Sequence, residues 1–186
     1  WLVPEIHDDP AAIDEAIRLG YNWKQGPFEL IDAIGAGNLA VALQAEGQPV
    51  PAFLKQVGDG GFYRTVDGAL QVFRADGQYH TIRRPEGVLR LADVKRRSAP
   101  VAKNGSASLW DLGDGVACLE FHTKMNAIDD KIMEMIHTSI ATVQARFRAL
   151  VIHNEGSNFS AGANLGLAMF AANIAAWDQI QQMVEG

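Results

Sequence analysis

"VIHNEGSNFSAGANL", Val151 to Leu165, decides how the second half of this chain is read. A short apolar run, "ALVIHN" from Ala149 to Asn154, has the length and content of a buried strand. It passes into a polar turn, then small residues, then an apolar stretch that reads as a helix. A helix start leaves backbone N–H groups without intrahelical acceptors. Gly162 and the alanines beside it keep side chains out of their way. A carbonyl or phosphate oxygen could then approach the backbone itself, and a thioester carbonyl would meet one side of an oxyanion hole. Read from the pattern alone, an ordinary strand-to-helix connection with glycine for packing explains the stretch better.

The residues on either side supply the frame. "SLWDLGDGVACLEF" reads as a hairpin turning at Asp114-Gly115. From Asp129 to Phe147 a helical stripe runs through Ile132, Ile136, Ile140, Val143 and Phe147. Beyond the loop, Leu167, Phe170, Ile174, Trp177 and Ile180 make a second stripe. Hairpin, helix, strand, loop and helix in that order imply an α/β layer with a right-handed crossover.

The first third is helical in pattern. Asp9 can cap a helix with Pro10 at its first position and Gly20 as its stop. Ile13, Ala16 and Ile17 share a face, and Asp14 stands four residues before Arg18 for an ion pair. In "GPFELIDAIG" Pro27 opens a helix and Gly35 closes it. Leu39 to Ala45 makes a third helix, ended by Gly47, and Pro51 to Val57 a short fourth. "FYRTVDGALQVFRADGQYHTI" then holds two Asp-Gly turns, Asp67-Gly68 and Asp76-Gly77, between aromatic and β-branched runs, the mark of a three-stranded meander. Val94 to Ser108 is basic, then rich in small polar residues, and reads as a connector.

"GAGNLA", Gly35 to Ala40, matches the glycine spacing of a dinucleotide-binding turn. That turn should follow a buried, nearly all-apolar strand. Glu29 and Asp32 interrupt the preceding run, which suits a half-buried helix. Gly35 and Gly37 therefore read as a helix stop and a turn.

Composition narrows the classes. The chain has 186 residues, 48% hydrophobic and 20% charged, with a net charge of −6. A packed core is expected, and a general nucleic-acid binder is not. Cys118 is the single cysteine, so no intrachain disulfide or thiolate metal site is expected, and a reducing, cytoplasmic setting fits. Its natural place is in the core of a strand. The first residues lack the pattern of a signal peptide, and the apolar run Leu165 to Trp177 is too short for a membrane span. Both ends have the look of cut ends, as in a piece of a longer protein.

Two resemblances sharpen this reading. "FSAGANL" is similar to the F-x-A-G-A-D-L loop of the crotonase (enoyl-CoA hydratase/isomerase) superfamily. "KMNAI", Lys124 to Ile128, resembles the K-x-x-N-A-[LI] stretch upstream of it. Together with the element order they cover residues 106–186. The resemblance implies a coenzyme A thioester ligand, with the Ala163 amide donating to the thioester oxygen. It implies that Ser160, Ala161 and Gly162 line the adenine and pantetheine path, with Thr123, Lys124 and Met125 beside it and Lys124 placed for a phosphate. Asn164 stands where the family usually has Asp, and His122-Thr123 where Arg-Pro is frequent. "DDPAAIDEAIRLGYNWKQGPFELIDAIG" looks like the helical C-terminal domain of 3-hydroxyacyl-CoA dehydrogenases, with Gly26 to Gly35 its most recognisable part.

The expected architecture is mixed α/β: a helical domain with a β meander, then a partial crotonase-like α/β unit. The expected divisions are a dehydrogenase-like helical region at 1–58, meander and connector at 59–105, and a truncated hydratase-like region at 106–186. By this resemblance the parent protein hydrates 2-enoyl-CoA and oxidises the 3-hydroxyacyl product with NAD. Crotonase relatives also isomerise and hydrolyse thioesters. The competing reading is a non-catalytic acyl-CoA-binding or subunit-interaction module. NAD is expected to bind the parent and not this piece, and no metal is expected. No G-G-G-x-E stretch follows Gly162, and the only later acids, Asp178 and Glu185, read as solvent-facing. The piece alone is therefore expected to lack turnover. Glu120, Glu155, His122 and His153 read as surface or strand-end groups, and Trp23 and Trp110 as core or domain-contact aromatics. Val151 and Phe170 are expected to show apolar faces, which invites self-association.

Overall fold

The computed structural model describes residues 3–163 and 165–185, without the side chains of Leu167, Gln182, Met183 and Glu185. Three expectations thus lie outside the described residues: the Asn164 departure, Leu167 as part of the last stripe, and the Glu185 carboxylate. The fold is mixed α/β, with eight helices and seven strands among the described residues. The chain forms two compact units, one up to Arg97 and one from Ser98 on.

The first unit begins with α1 (Pro10–Tyr21), α2 (Pro27–Ile34), α3 (Ala36–Ala45) and α4 (Ala52–Val57). Asp9 caps α1 by accepting from the Ala11 N–H at 2.9 Å. Gly20 does not stop this helix, which continues to Tyr21 and ends on Asn22 in the left-handed conformation (φ 54°). Asp14 does not pair with Arg18. It is fully buried and accepts from the Phe28 and Glu29 amides at 2.8 and 3.0 Å, capping α2 from a distance. Tyr63 Oη–H donates to the same carboxylate at 2.7 Å, and Arg18 pairs with Glu29 instead, also at 2.7 Å.

Five positions of "GPFELIDAIG" have a structural task. A side chain at Gly26 would collide with Asp14, its Cβ falling 2.3 Å from the Asp14 Cβ. Pro27 is the first helical residue, and Glu29 accepts back from the Gly26 N–H at 2.9 Å. Asp32 accepts from the Phe62 and Tyr63 amides at 2.7 Å each, pinning the entry to the meander. Gly35 ends α2 at φ 93°. The element before the glycine pair is a helix, and Gly37 lies inside α3 and is not a turn residue.

The meander is as expected: β1 (Tyr63–Val66), β2 (Ala69–Phe73) and β3 (Tyr79–Thr81), antiparallel in that order. Asp67 and Gly68 both have positive φ (50° and 72°), the requirement of a tight hairpin turn that matches strand twist. Phe62 and Phe73 share one core with Ala36, Leu54 and Val57, and Phe28 and Phe53 pack against it. The helices and the meander therefore form one unit, whereas the sequence suggests a division at 58/59. The stretch read as a connector begins inside α5 (Leu91–Arg97), which closes the first unit, and contains β4 (Ala102–Lys103), which opens the second sheet. Trp23 is 56% exposed, beside Tyr21, and is not a core aromatic.

In the second unit, β4, β5 (Ala107–Gly113), β6 (Val116–Phe121) and β7 (Ala149–Ile152) form a sheet in that order. The β5–β6 hairpin turns at Asp114-Gly115, and β7 lies parallel to β6 after the crossover helix α6 (Asp130–Arg146). Ala107, Leu109, Ala117, Leu119 and Phe121 form the core with Ile132 and Met135 of α6. Of the expected helical stripe, Ile132 is buried and Ile136, Val143 and Phe147 pack against this core, whereas Ile140 is exposed and Ser139 is fully buried. β7 is an edge strand, with Val151 and Ile152 43% and 41% exposed, so it is not the buried strand its composition suggests. The final stripe is two helices, α7 (Leu165–Asn173) and α8 (Trp177–Glu185), broken where Ala175 takes φ 55°. Phe170 is exposed, as expected. No single helix among the described residues is long and apolar enough to cross a membrane.

Candidate functional site

Two asparagines build the loop that follows β7. Asn154, buried at the strand exit, accepts from the Phe121 N–H at 2.8 Å and donates to the Phe159 carbonyl at 2.7 Å. One side chain thus ties the end of β6 to the loop. Asn126, also buried, donates to the carbonyls of Asn158 at 2.9 Å and Glu155 at 3.3 Å.

The turn that carries Asn126 is strained. Met125 and Asn126 both lie in the left-handed region, at φ 59° and 52°. Asparagine tolerates this, whereas for methionine it costs roughly 1–2 kcal/mol. The loop holds the turn in place: the Ala161 N–H donates to the Met125 carbonyl at 3.1 Å, and Ser160 Oγ–H to the Asn126 carbonyl at 2.7 Å. Ser160 Oγ also accepts from the Gly162 N–H at 3.0 Å. The two stretches that carry the crotonase resemblance are therefore hydrogen-bonded to each other across more than thirty positions of sequence.

Ala163 is the focus of this arrangement. The Ile128 N–H donates to the Gly162 carbonyl at 2.8 Å, and residues 128 and 163 form an isolated parallel bridge. In a trans peptide the carbonyl of one residue and the N–H of the next point in opposite directions. The Ala163 N–H is therefore turned away from Ile128. Ala163 is exposed, and among the described residues its N–H has no acceptor. Gly162 makes the required bend at φ 81°. The helix α7 begins two residues later, so the amide stands at a positive helix end.

Of the other expected site residues, Ala161 bonds to Met125, Ser160 to Asn126 and Gly162 to Ile128. Met125 is 58% exposed, and Thr123 Oγ1–H donates to the Ala127 carbonyl at 2.7 Å. Lys124 is exposed on the same turn. Asp178 lies exposed in the first turn of α8, and Glu155 is exposed.

Glu120 differs from its expected solvated state. It is 4% exposed and accepts from the indole N–H of buried Trp110 at 3.1 Å, a diagonal pair across the β5–β6 ladder. Cys118 is buried on the same face, and burial pushes its thiol pKa up, which makes it inert. His122 Nε2 meets Ser108 Oγ at 3.1 Å, and the His153 ring is exposed.

The sequence reading assigned no role to Asn126 or Asn154. Asn126 lies inside a stretch already singled out, and Asn154 at a strand exit. A polar residue able both to accept and to donate at such a junction was the available signal.

Comparison with known proteins bears on both units. The chain is 41% identical over 172 residues to a Bacillus subtilis (strain 168) protein named as a 3-hydroxyacyl-CoA dehydrogenase, covering 90% of this chain and 22% of that protein. It is 30% and 26% identical to fatty acid oxidation complex trifunctional enzymes, so named, of Rickettsia felis and Rickettsia prowazekii, covering 90% of this chain and 21% of each. The chain thus spans about a fifth of the length of these relatives. The unmatched tenth is shorter than either unit, so each match runs through both. No family model matches, and no solved structure does.

Proposed function

We propose that this chain is part of a fatty-acid β-oxidation enzyme that hydrates 2-enoyl-CoA and oxidises the resulting 3-hydroxyacyl-CoA with NAD. The observation that carries the hydratase half is the outward amide of Ala163, set by the Ile128–Gly162 hydrogen bond at 2.8 Å. In this reading a thioester carbonyl accepts from that N–H. As the enolate forms, the negative charge on the oxygen strengthens the bond, which is the selective stabilisation a catalyst needs. Thr123, Lys124 and Met125 on one stretch, and Ser160, Ala161 and Gly162 on the other, line the path of the coenzyme A moiety. Lys124, exposed on the turn, meets a phosphate.

The dehydrogenase half rests on the first unit and on the name of the Bacillus relative. The tasks found for Gly26, Pro27, Glu29, Asp32 and Gly35 are structural, so this unit serves as scaffold. NAD belongs to another part of the parent protein, and the acids that move protons in hydration come from elsewhere in it. The setting is cytoplasmic. This chain alone turns over neither substrate. The test is hydration of crotonyl-CoA and NAD-linked oxidation of 3-hydroxybutyryl-CoA, measured on the full-length protein and on this chain. Activity of both kinds in the parent and in neither case in this chain is expected. A parent that binds acyl-CoA and turns over neither substrate would favour the binding-module reading.

A further inference from the structure

Beyond that reading, the first unit holds a cavity of about 630 Å³ whose wall is rich in arginine. Arg18, Arg83, Arg84, Arg90 and Arg96 line it, against a chain whose net charge is −6. Three acids also line it, and each is already matched: Glu29 by Arg18, Glu15 by Arg90, and Asp9 by Arg74. Arg84 and Arg96 share one carboxylate, Asp93. Arg83 is exposed and has no carboxylate partner among the described residues. Asp14 accepts from the wall residue Tyr63, so six arginines face five acids across the wall and its direct partners, leaving one arginine in excess.

The rest of the wall is apolar, with Leu70, Ile82, Pro85 and Val88. The paired guanidiniums stay partly open, with side chains 24–44% exposed for Arg18, Arg84, Arg90 and Arg96. Guanidinium forks suit phosphate oxygens, and the volume suits a small organic molecule. We propose that this cavity binds a small soluble molecule carrying a phosphate monoester, the dianion facing Arg83, Arg84 and Arg96 and the organic body lying on the apolar wall. A phosphate monoester carries nearly two negative charges at neutral pH, which suits the unpaired Arg83 together with Arg84 and Arg96, two guanidiniums that share one carboxylate. An anionic lipid presents the same headgroup, and the vesicle arm of the test separates the two sources.

The test is calorimetric titration of the full-length protein with phenyl phosphate, with phenol as the phosphate-free control. Vesicles containing phosphatidic acid form a separate arm. The expected result is saturable binding of phenyl phosphate, no binding of phenol, and a loss of about tenfold in affinity in Arg83→Gln with an unchanged melting curve. Arg83 is exposed and unpaired, so its replacement should leave the fold intact, and Arg84→Lys gives a second, milder variant with a smaller loss. Phenyl phosphate binding weaker than about 10 mM, or equal binding by wild type and Arg83→Gln, would overturn the proposal. So would binding confined to the vesicles.

Discussion

A Cβ on Gly26 would lie 2.3 Å from the Cβ of Asp14 and 2.5 Å from its Cα. Gly26 ends the connection into α2, and Asp14 is the buried side chain that caps that helix. The glycine is required by contact, since its φ of −80° is open to any residue. Gly26→Ala should destabilise the protein by roughly 1–3 kcal/mol, because the obstructing atoms include backbone and cannot simply rotate away. Gly20→Ala is the control. Nothing lies within 4 Å of its Cβ position, and it sits inside α1. It should stabilise by about 0.5–1 kcal/mol. Urea unfolding of both variants decides; equal effects would remove the steric explanation.

Asp93 gives a pH signature. The hydrogen bond from Arg84, reinforced by the charges of Arg84, Arg96 and Arg97, holds its carboxyl below the ordinary 3.8, and burial opposes this only in part. A folded-state pKa below the unfolded one means stability that is present above 3.8 and lost as the pH falls through the folded value. Asp93→Asn should lose roughly 1–2 kcal/mol at neutral pH, allowing for its partial exposure. The gap between wild type and variant should close in strong acid. A gap that stays constant with pH would show that the carboxylate's charge plays no part.

What the sequence revealed follows from which physical signals are local. Asp67-Gly68 and Asp114-Gly115 need positive φ, and few residue pairs supply it cheaply, so both hairpins were readable. The same residue types mislead where three-dimensional contacts decide. Ala175 breaks the last helical stripe in a left-handed conformation that its side chain does not announce. Ile140 has the right spacing for the core of α6, but Ser139 takes the buried place. β6 is buried along nearly its whole length, so the alternation that would put Glu120 in solvent fails, and Trp110 supplies its partner. Of the site, the two stretches were readable as motifs. Their joining through Asn126 and Asn154 was not, because those bonds close over five to thirty-four positions of sequence.

Asn154 tests that joining. Asn154→Ala removes the acceptor for the Phe121 N–H and the donor for the Phe159 carbonyl in a buried setting. The expected loss is roughly 1–3 kcal/mol. Asn154→Asp keeps the acceptor and loses the donor, so hydrogen exchange should find the Phe121 amide still protected while the loop amides of Ala161 and Gly162 exchange faster. Loop protection equal to wild type in both variants would mean that Asn154 does not hold the loop.

The most direct test of the account concerns Ala163, since a side-chain change there leaves the backbone donor intact and proline removes it. Ala163→Pro is made in the full-length parent, with circular dichroism and melting to establish folding. Hydratase kcat is measured with dehydrogenase activity of the same preparation as the internal control. Loss of one oxyanion donor should lower hydration about a hundred- to thousand-fold, or roughly 2.7–4 kcal/mol of transition-state stabilisation, with dehydrogenation unchanged. A folded Ala163→Pro parent that hydrates crotonyl-CoA at the wild-type rate would contradict the role assigned to this loop.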